Sequence, residues 1–253
     1  MMRNVKELMN LSGRTVAITG GAGHIGRAMG DAVAELGASV AVIDLNPEAC
    51  EETATRLAEK HGVKSVGFPV DLAEETAVRE LPVQVAERLG GLDVLVNCAA
   101  FVGTSGLEGW VVPFEEQSVD TWRKAMEVNL TSVFTLTQAA TPLLKASGYG
   151  SIINVSSIYG IYGPDLRLYE GTGMGSPAAY AASKGGLIQF TRWCSTVLAP
   201  DIRVNAITPA VLPETRMNAL WSAMRVKPRC NAWPRKRISK GPSAIWQVTF
   251  LHM

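Results

Sequence analysis

Two short stretches of the 253-residue chain combine residue types and spacings that could do chemistry. In Tyr180-Ala-Ala-Ser-Lys184 the phenol and the ammonium are four residues apart, which on a helix puts them on one face. A phenol with its ordinary pKa of about 10 is a poor base at neutral pH, and a neighbouring cation favours its phenolate, so such a pair can move protons. The other stretch is Thr19-Gly20-Gly21-Ala22-Gly23-His24-Ile25-Gly26. Glycines at this density let the backbone turn tightly and approach a pyrophosphate, whose charge is met by the free N–H groups of a following helix. Asp44 follows Gly26 by 18 residues. A carboxylate there accepts hydrogen bonds from adenosine ribose hydroxyls and repels a 2′-phosphate, which favours NAD over NADP. Each stretch also has a plainer reading: a tight turn without a ligand, a loop acid, a solvated helix face.

The elements around these residues decide between the readings. Short β-branched runs alternate with longer amphipathic stretches, the pattern of a parallel sheet with crossover helices. Strands are expected at 14–19, 39–44, 64–70, 92–99, 151–157 and 202–208. Helices are expected at 24–37, 47–62, 73–90 with an interruption at Pro82, 119–147 and 176–199. Pro47 in the first turn and Gly62 past the end frame the second helix. The glycine turn thus joins the first strand to the first helix, and Asp44 closes the second strand, where a dinucleotide site requires them. The fold class is α/β: a Rossmann-type doubly wound parallel sheet in a three-layer α/β/α sandwich.

Composition narrows the function classes. With 47% apolar and 19% charged residues the chain is that of a folded globular protein, and no fixed repeat suggests a solenoid. No apolar run reaches membrane-helix length, and the opening MMRNVKELMN lacks a signal-peptide core, so a cytoplasmic protein is expected. Cys50, Cys98, Cys194 and Cys230 are far apart with no C-x-x-C, arguing against a disulfide framework or a zinc ribbon. His24, His61 and His252 are isolated, which leaves neither a metal-ligand set nor a hydrolase triad. Cys98, at an apolar strand end, is not expected to be a nucleophile.

Several further motifs occur in order: Asp71-Leu72 after the third strand, Asn97-Cys98-Ala99-Ala100 after the fourth, Asn129 in the long helix, Ser156-Ser157 before Tyr180, and Arg203-Val204-Asn205 before Pro209. Together with the glycine turn and the Tyr-Lys pair, they make residues 12–209 resemble a short-chain dehydrogenase/reductase of about 250 residues. The resemblance implies hydride transfer between a nicotinamide cofactor and a carbonyl or secondary alcohol. It makes Tyr180 the general acid/base, has Lys184 lower the Tyr180 pKa and hold the nicotinamide ribose, and has Ser157 polarise the substrate oxygen. Asn129 would hold a water that relays protons to Lys184. Thr19, Gly20, Gly23, Ile25, Gly26, Asp44, Asp71, Leu72, Asn97, Ala99 and Pro209 would line the cofactor with Tyr180 and Lys184. Cys98 and Ala100 depart from the usual N-[AN]-A-G run and alter the adenine-side wall.

Ser157 and Tyr180 are 23 residues apart, about ten more than is usual in the family, and loops at strand ends carry substrate selection. Tyr159, Tyr162, Arg167 and Tyr169 in this insertion could stack on or hydrogen-bond a sugar or sugar derivative, as in surface-polysaccharide biosynthesis. Reduction of 3-oxoacyl thioesters is the competing assignment, and a catalytically weak cofactor-binding protein is the alternative of another class. Like its family, the chain is expected to form dimers or tetramers through 119–147 and 176–199, with neither nucleic acid nor membrane as partner.

The resemblance stops at Pro209. From Ala210 onward there are eight basic residues and one acid, +7 in 44 residues, against −6 for the rest of a chain whose net charge is +1. The family's lid helices and final strand are absent as written. In a shifted reading frame PAVLPE is compatible with GGPSR, KPRCNAWP with TPLQRMA, and ISKGPSAIWQVTF with KGAVGYLASDF, three family motifs in correct order. The expectation is a domain at 1–209 and a frame-shifted basic tail at 210–253 that lacks the final strand. An independent basic module for nucleic acid is the rival reading of the tail, and it carries no recognisable motif.

Overall fold

A computed structural model of the chain describes residues 8–102, 107–169, 171 and 175–209. Six parallel strands form one sheet: β1 (Thr15–Thr19), β2 (Ser39–Asp44), β3 (Ser65–Pro69), β4 (Val94–Asn97), β5 (Ser151–Val155) and β6 (Arg203–Ile207), in the order β3-β2-β1-β4-β5-β6. The helices α1 (His24–Glu35), α2 (Pro47–His61), α3 (Glu75–Leu89), α4 (Val119–Met126), α5 (Ser132–Ala146) and α6 (Ala178–Val197) connect or flank them.

Side chains alternate across a strand, so a sheet covered on both faces needs apolar residues at successive positions. Ala17 and Leu95 enter a core built with Leu81 and Val85 of α3, Leu136 and Leu144 of α5 and Cys194 of α6. Val16, Ile18 and Val96 enter the opposite core with Ala34 of α1 and Ala54 and Leu57 of α2. The strand order reverses direction between β1 and β4, whose ends meet in register at Thr19 and Asn97. Beyond such a reversal the strand ends open a crevice, the usual ligand site of an open α/β sheet.

The helix ends follow the chemistry of their residues. Asn46 caps α2 through Ala49 N at 2.9 Å, Pro47 opens it, and Gly62 closes it at φ 68°. Two expectations are corrected. Pro82 does not interrupt α3, because it lies on the buried face with Val78, Leu81, Val85 and Leu89, where packing offsets the lost backbone bond. The stretch 119–147 is not one α-helix: a π-helical turn at Glu127–Thr131 separates α4 from α5, with Asn129 buried in it. The expected absence of a final strand falls on 210–253, outside the described residues.

Candidate active site

The nucleotide half of the crevice is made of backbone. A Cβ on Gly20, which has φ +65°, would stand 2.8 Å from Ala99 Cα, and one on Gly26 would stand 2.1 Å from Gly20 O. The turn therefore closes against both the end of β4 and the start of α1, with no room for a side chain at either glycine. α1 begins at Gly23 with no side-chain cap and no acid in its first turn, leaving its N–H groups and positive dipole end to an anion. Ile25 is half-buried in that first turn. Thr19 faces the protein: its hydroxyl accepts from Cys98 N at 3.1 Å and Ala99 N at 3.2 Å, tying the glycine turn to the β4 end.

Asp44 ends β2 beside this turn, its Oδ2 accepting from Ala22 N at 3.1 Å and its Oδ1 from Leu45 N at 2.8 Å. Each carboxylate oxygen keeps a second lone pair for a donor such as a ribose hydroxyl. Asp71 lies next to it past β3, exposed and bonded to Ala73 N at 2.9 Å, and Leu72 is half-buried. Asn97 is 2% exposed and donates to Asn154 Oδ1 at 2.8 Å, while Asn154 donates to Thr191 Oγ1 at 2.9 Å. Asn97 Oδ1 stays buried without a partner in the protein, a position that suits an external donor. Glycine backbone, helix start, carboxylate and orphaned amide oxygen together fit a dinucleotide. Pro209, buried just past β6, is the last described residue.

The catalytic half is made of side chains from distant parts of the chain. Ser157 caps a 3₁₀ turn at Ile158–Gly160, its Oγ accepting from Tyr159 N at 3.2 Å and lying near enough to the Tyr180 phenol to act on its titration. Ser156 turns away and donates to Lys184 O at 2.8 Å, so Ser157 is the serine facing Tyr180. Tyr180 packs against Trp110 and Ala179, with Phe101 edge-on to Trp110 at 5.2 Å. Lys184 is 2% exposed and donates from Nζ to Val155 O at 2.7 Å, with Nζ 5.9 Å from the centre of the Tyr180 ring.

Burial dominates the titration of both members of the pair. Burial pushes the Tyr180 phenol above its ordinary value, the Ser157 hydrogen bond pulls it down, and Tyr159 pushes it up again. Burial lowers Lys184 itself to about 8, with the Cys98 thiol opposing. Cys98 is pushed up to about 11 by burial and is a neutral thiol, as its strand-end position suggests.

Asn129 is fully buried, its Oδ1 accepting from Phe101 N at 2.6 Å and its Nδ2 donating to Phe101 O at 3.3 Å and Ser183 Oγ at 3.0 Å. Both amide hydrogens are committed to the protein. Ser183 passes the contact on to Tyr180 O at 2.9 Å. Ser183 and Gly160 are absent from the sequence reading. A Cβ on Gly160 would lie 2.7 Å from the Lys184 carbonyl, so the 3₁₀ turn is pressed onto the backbone of α6. Ser183 could have been found as the polar residue three past Tyr180, on the same helix face; nothing in the sequence singles out Gly160. Of the insertion, Tyr159 and Tyr169 join phenol to phenol, Tyr162 is exposed, and the Arg167 side chain lies outside the described residues. Among the described residues no three His, Cys, Asp or Glu are gathered as metal ligands.

A phenol with a buried lysine one helical turn on, a serine hydroxyl on the phenol, and a glycine turn at the crevice define a nicotinamide-dependent oxidoreductase. The family model for short chain dehydrogenase matches residues 14–225, and the chain belongs to that family, whose members act on CH–OH groups. The match runs past Pro209, where the sequence reading ends the resemblance, to Arg225. The chain is 35% identical over 209 residues to the rhamnolipids biosynthesis 3-oxoacyl-[acyl-carrier-protein] reductase of Pseudomonas aeruginosa, covering 81% of this chain and 75% of that one. It is similar to NAD+-bound xylitol dehydrogenase, with 32% identity, TM-score 0.69, and coverage of 79% of this chain and 70% of that one. The NADPH-dependent 3-quinuclidinone reductase of Rhodotorula rubra has 27% identity and TM-score 0.74, over 86% of this chain and 79% of that one. No helix among the described residues is long and apolar enough to cross a membrane.

Proposed function

We propose that the protein is an NAD-preferring dehydrogenase/reductase that interconverts a secondary alcohol and a ketone on a polyhydroxylated, sugar-like molecule. The observation that carries this reading is the Ser157 hydroxyl beside the Tyr180 phenol, with Lys184 one helical turn on, at the crevice that Asp44 and the glycine turn close. Thr19, Gly20, Gly23, Ile25, Gly26, Asp44, Asp71, Leu72, Asn97, Ala99, Tyr180, Lys184 and Pro209 would hold the nicotinamide cofactor, which would supply the hydride chemistry. The Ser157 hydroxyl donates to the substrate oxygen and orients it. The Tyr180 phenol gives its proton to that oxygen in reduction and takes it back in oxidation. Lys184 keeps two ammonium hydrogens beyond the one on Val155 O, enough to hold a ribose hydroxyl. The Asp44 carboxylate would meet a 2′-phosphate with like charge.

The preference is tested by titrating NADH and NADPH separately, and tighter NADPH binding overturns it. Turnover is tested with xylitol and NAD, and with an acetoacetyl thioester and NADH. Similarity to the P. aeruginosa reductase favours the second substrate class as the rival reading. A cofactor-binding protein without turnover would bind NADH, form none from NAD and xylitol, and leave it unconsumed by the thioester. The basic tail at 210–253 is the part of the chain on which that alternative rests, and sequencing the encoding DNA around codon 209 tests whether the frame has changed there.

The chain is further proposed to work as a homo-oligomer in the cytoplasm. Phe134 of α5 and Trp193 and Val197 of α6 are 46%, 57% and 54% exposed, and Phe190 ties the aromatic pair together with ring centres 6.0 and 6.5 Å away. Exposed aromatic side chains that meet across two neighbouring helices suit a self-association surface. Light scattering tests it, with Trp193→Glu expected to dissociate the oligomer.

A further inference from the structure

Lys184 is held from both ends by consecutive residues at the end of one strand. Its Nζ donates to the carbonyl of Val155, the last residue of β5, at 2.7 Å, and its own backbone carbonyl accepts from the Ser156 hydroxyl at 2.8 Å. Ser156 is 3% exposed, and its N–H donates to Ile207 O at 2.8 Å, which carries the β5–β6 ladder one residue past the end of β5. Gly160 closes the same contact: a Cβ there would stand 2.7 Å from Lys184 O and 2.9 Å from Ser156 Oγ. The regular helical bond of α6 takes one lone pair of the Lys184 carbonyl, and Ser156 takes the other. Along the chain this contact lies one residue from Ser157 and one helical turn from Tyr180.

We propose that Ser156 is a positioning residue for the Tyr180–Lys184 pair: its bond to the Lys184 carbonyl fixes α6 against the end of β5, and so sets where the ammonium and the phenol stand relative to Ser157. The inference rests on the dehydrogenase reading and gives the other member of the serine pair a task in it. The bond from Nζ to Val155 O does not suffice. A lysine stem is long and flexible, so the ammonium can keep its partner while the helix beneath it shifts. The Ser156 hydroxyl instead holds backbone, through a side chain with one staggered torsion. Because Tyr180 and Lys184 share one helix, whatever fixes the backbone of one fixes the other. A helix rises about 1.5 Å per residue, so a slip of less than one residue reaches the displacement of about 1 Å that can cost a reaction about 10²-fold. Gly160 belongs to the same joint, since the turn that Ser157 caps can seat on α6 only where no side chain intervenes.

The full chain is compared with Ser156→Ala, which removes only the hydroxyl, and Ser156→Thr, which keeps it. NADH and ADP are titrated separately by calorimetry. NADH spans both halves of the crevice, whereas ADP ends before the nicotinamide ribose that Lys184 would hold. Ser156→Ala is expected to bind NADH about fivefold to tenfold more weakly and ADP within about twofold of the parent, while Ser156→Thr stays within about threefold of the parent for NADH. With whichever of xylitol and NAD, or acetoacetyl thioester and NADH, the parent turns over, kcat of the alanine variant should fall at least about tenfold, with KM within about threefold. Unchanged NADH affinity or unchanged kcat in Ser156→Ala overturns the proposal. So does an equal loss for NADH and ADP, the mark of a general loosening of the fold, or a threonine variant as weak as the alanine one. Each of these outcomes leaves the dehydrogenase reading intact. A parent chain that fails to bind NADH overturns that reading and the proposal with it.

Discussion

The two halves of the crevice are built from different materials. Around β1 to β3 the work is done by backbone: glycines without room for a Cβ, an uncapped helix start, and one carboxylate held by two N–H groups. Around β4 to β6 it is done by buried polar side chains that reach across elements: Asn97 to Asn154 to Thr191, and Asn129 to Ser183 to the Tyr180 carbonyl. A backbone site tolerates little change of volume. A side-chain network fails when a single donor or acceptor is lost. The halves should therefore break separately, one in affinity and the other in turnover.

The largest separation is expected from Tyr180→Phe. Removing the hydroxyl deletes the proton donor and the partner of Ser157 but leaves the nucleotide half untouched. kcat should fall by about 10²–10⁴-fold, the range usual for loss of a general acid, while NADH affinity stays within about threefold. Steady-state kinetics and a fluorescence titration measure both, and retention of more than about a tenth of the parent kcat would remove Tyr180 from its role. Gly26→Ala is the mirror experiment. Its methyl would meet the Gly20 carbonyl oxygen, part of the backbone, at 2.1 Å, so the turn must open. NADH affinity should drop by at least about tenfold, with stability falling by about 1–3 kcal/mol, the usual cost of overpacking a tight site. Equal NADH affinity in the alanine variant would show that the turn is not the nucleotide site.

The contrast also explains what could be read in advance. The glycine turn and Asp44 were legible because glycines and an acid declare themselves by spacing after a strand. The sheet was legible because strands buried on both faces write continuous apolar runs, as at 92–99. Tyr180 and Lys184 were legible as a pair four apart. Their protonation was not, because the Lys184 bond to Val155 O and the burial of the phenol are tertiary facts. Asn129 was found through the resemblance, yet its committed amide hydrogens and the π turn around it depend on Phe101 and Ser183, distant in sequence. Pro82 misled because a helix-breaking residue is tolerated where its ring is buried.

Asp44→Ser sharpens the comparison inside the nucleotide half. It removes a charge from the turn and keeps a hydroxyl for Ala22 N. The ratio of NADH to NADPH affinity should fall by at least about tenfold, the effect of one close like charge removed. No change in the ratio would mean that selection is made elsewhere.

In the catalytic half, Lys184→Met should trade function for stability. A lysine whose folded pKa is about 8 carries a burial penalty at neutral pH that an isosteric apolar side chain does not. The variant should be more stable than the parent by about 1–3 kcal/mol at pH 7, after loss of the Val155 contact is counted. The sign with pH follows from proton counts. Between pH 8 and the unfolded value near 10.5 the unfolded chain binds the proton and the folded one does not, so the parent gains stability as pH rises. The variant's advantage should shrink across that window in denaturant titrations at several pH values. A constant or growing difference would place the ammonium in a better-solvated site.

The smallest effect is expected away from both halves, where α1 meets α2. Asp31 receives Arg56 at 2.9 Å, Lys60 at 2.9 Å and His61 at 3.0 Å, and these partners hold its carboxyl far below the ordinary carboxylate range. The carboxylate is partly exposed and screened, so Asp31→Asn should cost only about 1 kcal/mol at pH 7. Because the folded pKa is depressed, that contribution is complete above the unfolded value near 4 and is lost as pH falls below it. The gap in stability between parent and variant should close in acid, while NADH affinity and kcat remain at parental values throughout. A change in either kinetic quantity would show that the α1–α2 contact steers the glycine turn that opens α1, and the nucleotide half would then depend on side chains as well as backbone.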